Sequence, residues 1–424
     1  MNKSFESVIG YDSIKRELLQ ICDMLHHRKD FEKLGAKLPT GILLFGEPGL
    51  GKTLMANSFV KACGLPCFTV QRNKSVKFVE SITNTFQAAK NAAPSVILLD
   101  DMDKFANEDE SHVNAPEYIA VQAGIDEVRN HDVIVVATAN DTDYLPNSLL
   151  RAGRFDRSIR FEAPEKKDAQ EIIQFYLKNK PIAEDVNLED ISKMISYRSC
   201  AELECILNEA AIIAAGARKN AIDRADMIEA VLRMKYHAPD DTACCSDFEL
   251  KTRAYHEAGH LVAAEVLQDG SVGLASVKRA GRDSLGGFVH CCEKIQRRPN
   301  DVIVSLAGKI AVELYFPETV GSGCQSDLHR AVQRIREGIN TSGTLGLSML
   351  DPSGPIGYSE NYAERNEAVL YAELERYAFK TRELIIKNRE FLEKITNALL
   401  EKETLLYSDI QKIKEKCEIK RIAC

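Results

Sequence analysis

The stretch that most restricts the fold of this chain is Thr40-Gly41-Ile42-Leu43-Leu44-Phe45, running into Gly46-Glu47-Pro48-Gly49-Leu50-Gly51-Lys52-Thr53 and on into Leu54-Met55-Ala56-Asn57-Ser58-Phe59-Val60. An apolar run, a glycine-rich loop and a helical run in that order predict a strand, a phosphate-binding turn and a helix whose N-terminus favours anions. The loop fits G-x-x-x-x-G-K-T, so residues 46–54 are candidate ATP contacts. Its glycines let backbone N–H groups close around phosphates. Lys52 would reach the β- and γ-phosphates, and Thr53 would hold Mg²⁺. Two more apolar runs end in polar residues: Ser95-Val96-Ile97-Leu98-Leu99 in Asp100-Asp101, and residues 132–139 in Asn140. An acidic residue at the end of a buried parallel strand organises Mg²⁺, which fits Asp100. A base polarising the attacking water would follow at Asp101. Asn140 either orients that water and senses the γ-phosphate or is an ordinary loop residue. Strands alternating with helices imply a parallel sheet with helices on both faces.

The second feature is His256-Glu257-Ala258-Gly259-His260 within a helical run. Two histidines four apart share a helix face, so both imidazoles can grip one Zn²⁺ while the glutamate between them serves as general base. A zinc held this way needs a third protein ligand. Asp327 reads first as an N-cap or first-turn carboxylate of the helix over residues 328–339, but carboxylates also serve as ligands, which makes it a candidate. His290, Glu293 and Cys324 compete with it. Residues 286–290 read as a strand or edge near this helix, a plausible way to hold an extended peptide. Residues 301–316 form a further apolar helix, and residues 363–416 a helical, charged tail.

Between these features, residues 149–157 carry Arg151, Arg154 and Arg157. They are either a solvated face or arginine fingers acting on a neighbouring subunit's nucleotide. Residues 11–35 read as one amphipathic helical region, and residues 165–236 as a small helical domain. A polar stretch with a proline follows, and a domain boundary is expected there. With 424 residues the chain is too long for one core. A net charge of −8 excludes a general drive towards nucleic acid or anionic lipid. No apolar run approaches the ~20 residues of a membrane span. Twelve cysteines without a Cys-x-x-Cys spacing read as reduced thiols of a cytoplasmic protein.

Taken together, these motifs resemble the FtsH family of AAA+ zinc metalloproteases. The resemblance runs from Phe5-Glu6-Ser7-Val8-Ile9-Gly10 to the last helix. It rests on residues 33–39 before the glycine-rich loop, residues 149–157, Ala254-Tyr255 with the five residues after them, and residues 321–331. It implies an α/β AAA+ P-loop domain (1–164), a helical lid (165–237), a linker (238–247) and a mostly α-helical zinc metalloprotease domain (248–424). It further implies a ring, a hexamer, that hydrolyses ATP with Mg²⁺, threads polypeptide through a pore and cuts it at one Zn²⁺ per chain. On this basis Asp327 becomes the third zinc ligand beside His256 and His260, with Glu257 as the catalytic base. Arg154 and Arg157 become the fingers, and Asn140 the sensor.

The sequence departs from the family pattern in three places. It opens directly on the ATPase half, without the usual membrane-anchoring helices, as expected of a soluble variant or a truncated chain. Asp101 stands where glutamate is usual. The segment 70–86 is shorter than the family's pore region, leaving Phe78 either as the substrate grip or as a buried helix residue. Two other readings follow from these departures. One is an ATP-insensitive zinc peptidase with a degenerate ring, and the other an unfoldase with a vestigial protease half.

Overall fold

The computed structural model describes every residue except 1–2, 73–76, 107–115, 144, 197, 238–245, 280–285, 294–297, 319–323, 341–359 and 422–424. The chain divides into two compact units, residues 1–179 with 197–205 and residues 180–196 with 206–424. Most of the expected linker and the loop before Cys324 lie outside the described residues.

The first unit opens with α1 (Asp12–His26) and α2 (Arg28–Glu32). Then come β1 (Gly41–Phe45), α3 (Lys52–Cys63), β2 (Cys67–Gln71), α4 (Phe78–Asn91) and β3 (Ser95–Asp100). It continues with α5 (Pro116–Val128), β4 (Val133–Ala139), β5 (Phe155–Arg160) and α6 (Lys166–Leu177). All five strands are parallel, in the order β2-β3-β4-β1-β5. Strands β3 and β4 are buried along their whole length, which is why they read as unbroken apolar runs. Successive residues alternate between two faces. Ile97, Leu99, Val133 and Val135 pack with Ile82, Phe86 and Ile125 of α4 and α5. Val96, Leu98, Ile134 and Val136 pack with Leu18, Met55 and Phe59 of α1 and α3. Each fully buried Leu, Ile or Phe contributes roughly 1.5–3 kcal/mol.

The expected single helix over residues 11–35 is broken at His27, whose ψ of 36° leaves the helical region. The apolar pattern stops two residues earlier, at Leu25, so nothing holds the helix to the sheet beyond it. Strands β2 and β5 were hidden in the sequence by exposed polar residues. In β5, inside the arginine-rich run, only Phe155 and Ile159 face the core.

The second unit contains α7 (Leu188–Met194), most of α8 (Cys200–Gly216), α9 (Arg224–Tyr236) and α10 (Asp247–Leu267). It goes on through β6 (Val272–Ser276), β7 (Phe288–Cys291), α11 (Arg298–Tyr315) and α12 (Gln325–Asn340). It closes with α13 (Glu360–Lys387), α14 (Arg389–Lys402), β8 (Thr404–Leu406) and α15 (Tyr407–Lys414). The helical stretch 165–237 is thus shared between the two units. Its helices α7 and α9 are tied to the later elements by buried polar contacts. Asp190 accepts from the Ser408 amide and hydroxyl at 2.8 and 2.6 Å, and Lys193 donates to the Gly270 carbonyl at 3.0 Å. Strands β7-β6-β8 form an antiparallel sheet with β7 at its edge. No helix among the described residues is long and apolar enough to cross a membrane.

Candidate metal centre and nucleotide loop

Helix α10 begins with a capping box, in which the Ser246 hydroxyl accepts from the Glu249 amide and the Glu249 carboxylate accepts from the Ser246 amide. Its middle is buried, and it crosses α11 at close range because both helices carry glycine at the crossing. A methyl group on Gly259 would lie 2.5 Å from the Ala307 carbonyl oxygen. One on Gly308 would lie 2.4 Å from His260 Nε2 and 2.8 Å from His256 Cε1. The bare backbone of α11 therefore forms one wall around the two imidazoles.

The His260 Nδ1 lies 2.7 Å from the Val304 carbonyl oxygen. A carbonyl only accepts, so Nδ1 carries the proton and Nε2 presents a lone pair. That Nε2 is 3.1 Å from His256 Nε2 and 3.3 Å from Asp327 Oδ2, and His256 Nε2 is 3.2 Å from the same oxygen. Asp327 reaches this point from the first turn of α12. These three residues are a cluster of metal-ligand character among the described residues. Three electron-rich atoms converging without a hydrogen for each contact make a cation site. Their separations match the edge of a tetrahedron with arms of ~2.0 Å, about 3.3 Å, which is the zinc geometry. Desolvation opposes charging of His260, but the hydrogen bond and attraction of Asp327 outweigh it and raise its proton affinity. Burial acts on Asp327 in the opposite sense and is overcome by its bonds to the two histidines, which hold its carboxyl well below the usual range.

Glu257 is 4 % exposed. Burial pushes its carboxyl upward, against the attraction of His256 and His260, which makes it a stronger proton acceptor than a surface glutamate. Its side chain borders the edge strand, since a methyl group on Gly287 would meet Glu257 Cγ at 2.8 Å. Two of the competing ligand candidates, His290 and Glu293, are engaged elsewhere. His290 meets the Ser196 hydroxyl at 2.9 Å, and Glu293 accepts from Gln268 at 3.2 Å. Gly308 and Val304 were missed by sequence reasoning, and only tertiary packing reveals them. Gly308→Ala is expected to lower zinc affinity at least tenfold, comparable with loss of a group that supports a ligand. A zinc titration with a competing chelator measures this, and an unchanged affinity refutes the wall assigned to α11.

In the first unit the glycine-rich loop joins β1 to α3. Gly46, Gly49 and Gly51 have φ of 144°, 78° and 87°, the region where glycine is favoured. Lys52 Nζ sits at the loop's centre, donating to the Gly46 and Glu47 carbonyls at 2.7 Å each and to Asn140 Oδ1 at 3.0 Å. Burial lowers its pKa, partly offset by Asp103 and then Asp101. Asp100 Oδ1 accepts from the Thr53 and Thr138 hydroxyls at 2.9 and 2.8 Å, and its other oxygen accepts from Gln71 at 3.2 Å. Thr53 and Asp100 thus meet as a Mg²⁺-organising pair requires. The Asp101 carboxylate turns to Lys104, while the Asp103 carboxylate accepts from the Asn140 amide at 3.2 Å. Asp103 was not singled out from the sequence, and its position three residues past Asp100 was the available signal.

Arg154 makes a two-pronged pair with Asp126 at 2.9 and 2.7 Å, and Arg157 is exposed 3.9 Å from Glu17. Of the two readings of Phe78, its position matches that of a buried helix residue. It is 4 % exposed and meets the Phe105 ring edge-on at 5.4 Å, so it anchors α4 to the core rather than standing free to grip substrate.

Residues 42–163 match the AAA family, described as ATPases associated with various cellular activities. Residues 243–413 match peptidase family M41. The ATP-dependent zinc metalloprotease FtsH of Caldicellulosiruptor bescii is 31 % identical, over 97 % of this chain and 72 % of its own length. FtsH 3 of Symbiobacterium thermophilum is 29 % identical, over 97 % of this chain and 71 % of its own. The FtsH of Thermus thermophilus is 29 % identical, over 97 % and 70 %.

Proposed function

The chain belongs to the FtsH family of ATP-dependent zinc metalloproteases, and from that premise we propose which of its residues perform each part of ATP-dependent peptide-bond hydrolysis. His256, His260 and Asp327 hold Zn²⁺, and the observation that carries this is their three donor atoms meeting within 3.1–3.3 Å beside a buried glutamate. The ion supplies Lewis acidity, which acidifies water and polarises a carbonyl. Glu257 accepts the proton of the attacking water and delivers it to the leaving amine. Strand β7 binds the substrate as an added strand, with Gly287 leaving room for Glu257 beside it.

At the glycine-rich loop, residues 46–54 enclose the ATP phosphates. Lys52 neutralises them, Thr53 and Asp100 hold Mg²⁺, and Asp101 and Asn140 manage the attacking water. Arg154 and Arg157 act on the nucleotide of a neighbouring copy in a ring, which we take to be a hexamer working on polypeptides in the cytoplasm. Residues 1–164 form the nucleotide-binding domain, 165–237 its lid and 248–424 the peptidase. Lys52→Ala is expected to abolish ATP turnover, as removal of a phosphate-neutralising cation does. A phosphate-release assay that finds turnover unchanged refutes the nucleotide assignment. A transition-metal chelator that spares Mg²⁺, such as phenanthroline, should stop casein cleavage while ATP turnover continues, and the reverse result would refute the division of labour.

A further inference from the structure

Two thiols of the first unit meet in its core. Cys22 lies in α1 and Cys63 ends α3, and their sulfur atoms are 3.2 Å apart, roughly 1.2 Å beyond a disulfide bond. Both helices are fixed by packing, since Leu18, Met55 and Phe59 fill the same buried cluster as the two cysteines. The pair is polarised. A hydrogen bond from Cys63 holds the Cys22 thiol below its ordinary value, against the effect of burial, while that bond and burial push Cys63 upward. Cys22 is therefore the sulfur that yields a thiolate more readily, and the thiolate is the attacking form. Cys22 is 5 % exposed and Cys63 is fully enclosed, so only a small oxidant reaches them. Cys67, the next thiol along the chain, is exposed at the start of β2.

We propose that Cys22 and Cys63 are a modification site, a dithiol that hydrogen peroxide converts into a disulfide tying α1 to the end of α3. The Cys22 thiolate attacks the peroxide. An S–O bond forms as the O–O bond breaks, and the hydroxide released takes up the proton that Cys22 gave, leaving as water. The Cys63 sulfur then attacks the sulfenic acid on Cys22. The S–S bond forms, the S–O bond breaks, and a second water carries away the Cys63 proton. The two thiols lose two electrons, the peroxide becomes two waters, and a dithiol reductant reverses the change. Transient oxidation of this kind is compatible with a reducing compartment. The ring closed by the bond runs from residue 22 to residue 63 and holds β1 and the whole glycine-rich loop. It leaves the unfolded chain fewer conformations, which stabilises the unit. Lys52 stands at the opposite end of α3, about 16 Å away at the rise of a helix, so the bond spares the nucleotide loop.

The test treats the reduced full chain with hydrogen peroxide, blocks the remaining thiols with a maleimide and maps the peptides by mass. The expected product joins the peptides of residues 22 and 63, is two hydrogens lighter than its parts and is undone by dithiothreitol. The unfolding transition that added ADP shifts, which is that of the nucleotide-binding unit, should rise by about 5–15 °C on oxidation, the span for a ring of this length. Cys22→Ser and Cys63→Ser should each lose the cross-link and the rise, and Cys67→Ser should keep both. ATP turnover should persist in the oxidised chain. Cys22 driven to sulfinic acid beside a free Cys63 thiol, a bond from Cys63 to Cys67, or no cross-link at all overturns the proposal. A cross-link without a rise in the transition overturns its stabilising role, and turnover lost with the bond overturns the sparing of the loop. The mapping needs only the wild-type chain, so it decides even where a serine variant fails to fold.

Discussion

Glu257→Gln leaves zinc bound at one ion per chain and lowers casein cleavage by at least the 10²- to 10⁴-fold that a general base supplies. The carboxamide matches the carboxylate in shape, so the contacts to Gly287 and the packing of α10 persist. What disappears is the ability to accept a proton. Burial sharpens the loss, because a group 4 % exposed leaves little room for a bulk-water substitute. Metal analysis and casein cleavage on the same sample check both halves. A variant that still degrades casein at the wild-type rate sinks the assignment of Glu257.

Asp327→Ala has the other large expected effect, and it acts on the metal rather than the chemistry. Removing this carboxylate leaves two imidazole lone pairs 3.1 Å apart with no anionic partner in the cluster. Zinc affinity should fall by more than the roughly 10–100-fold lost when a mere supporting residue is removed. Casein cleavage should fall with it, and ATP turnover should not. The zinc content of the purified variant after dialysis measures the effect. A variant that retains one equivalent would show that Asp327 is only a first-turn helix carboxylate.

Sequence alone revealed the nucleotide loop because its chemistry is local. Three glycines with positive φ, a lysine and a threonine sit in eight consecutive residues. The same holds for His256, Glu257 and His260, which one helix turn brings together. Asp327 lies 67 residues beyond His260 and reaches the site only through the packing of α11 and α12. From the residues alone it could not be separated from His290, Glu293 or Cys324, and the family resemblance singled it out. Gly308 is further out of reach, since a glycine in an apolar helix announces nothing until its partner helix is in place. For Phe78 the sequence left two readings open. Its place beside Val79 and Glu80 suggested a grip, but the apolar spacing Phe78, Ile82, Phe86 and Ala89 is that of a core-facing helix. Strand β5 was obscured because Asp156, Arg157 and Arg160 face solvent and dilute its alternation.

The edge position of β7 has a consequence for what this protease can choose. Among the described residues β7 pairs only with β6, so its outer row of amides and carbonyls can be matched by the backbone of any straightened chain. Recognition through main-chain groups is indifferent to side-chain identity. The peptidase half should therefore read conformation rather than sequence. If β7 holds the substrate as proposed, a helix or a folded domain, which has already spent those groups internally, should be refused, and the same residues pulled straight should be accepted. On that proposal, selectivity among proteins would lie in which of them yields an extended end, and the lifetime of a protein would be decided before it reaches the zinc.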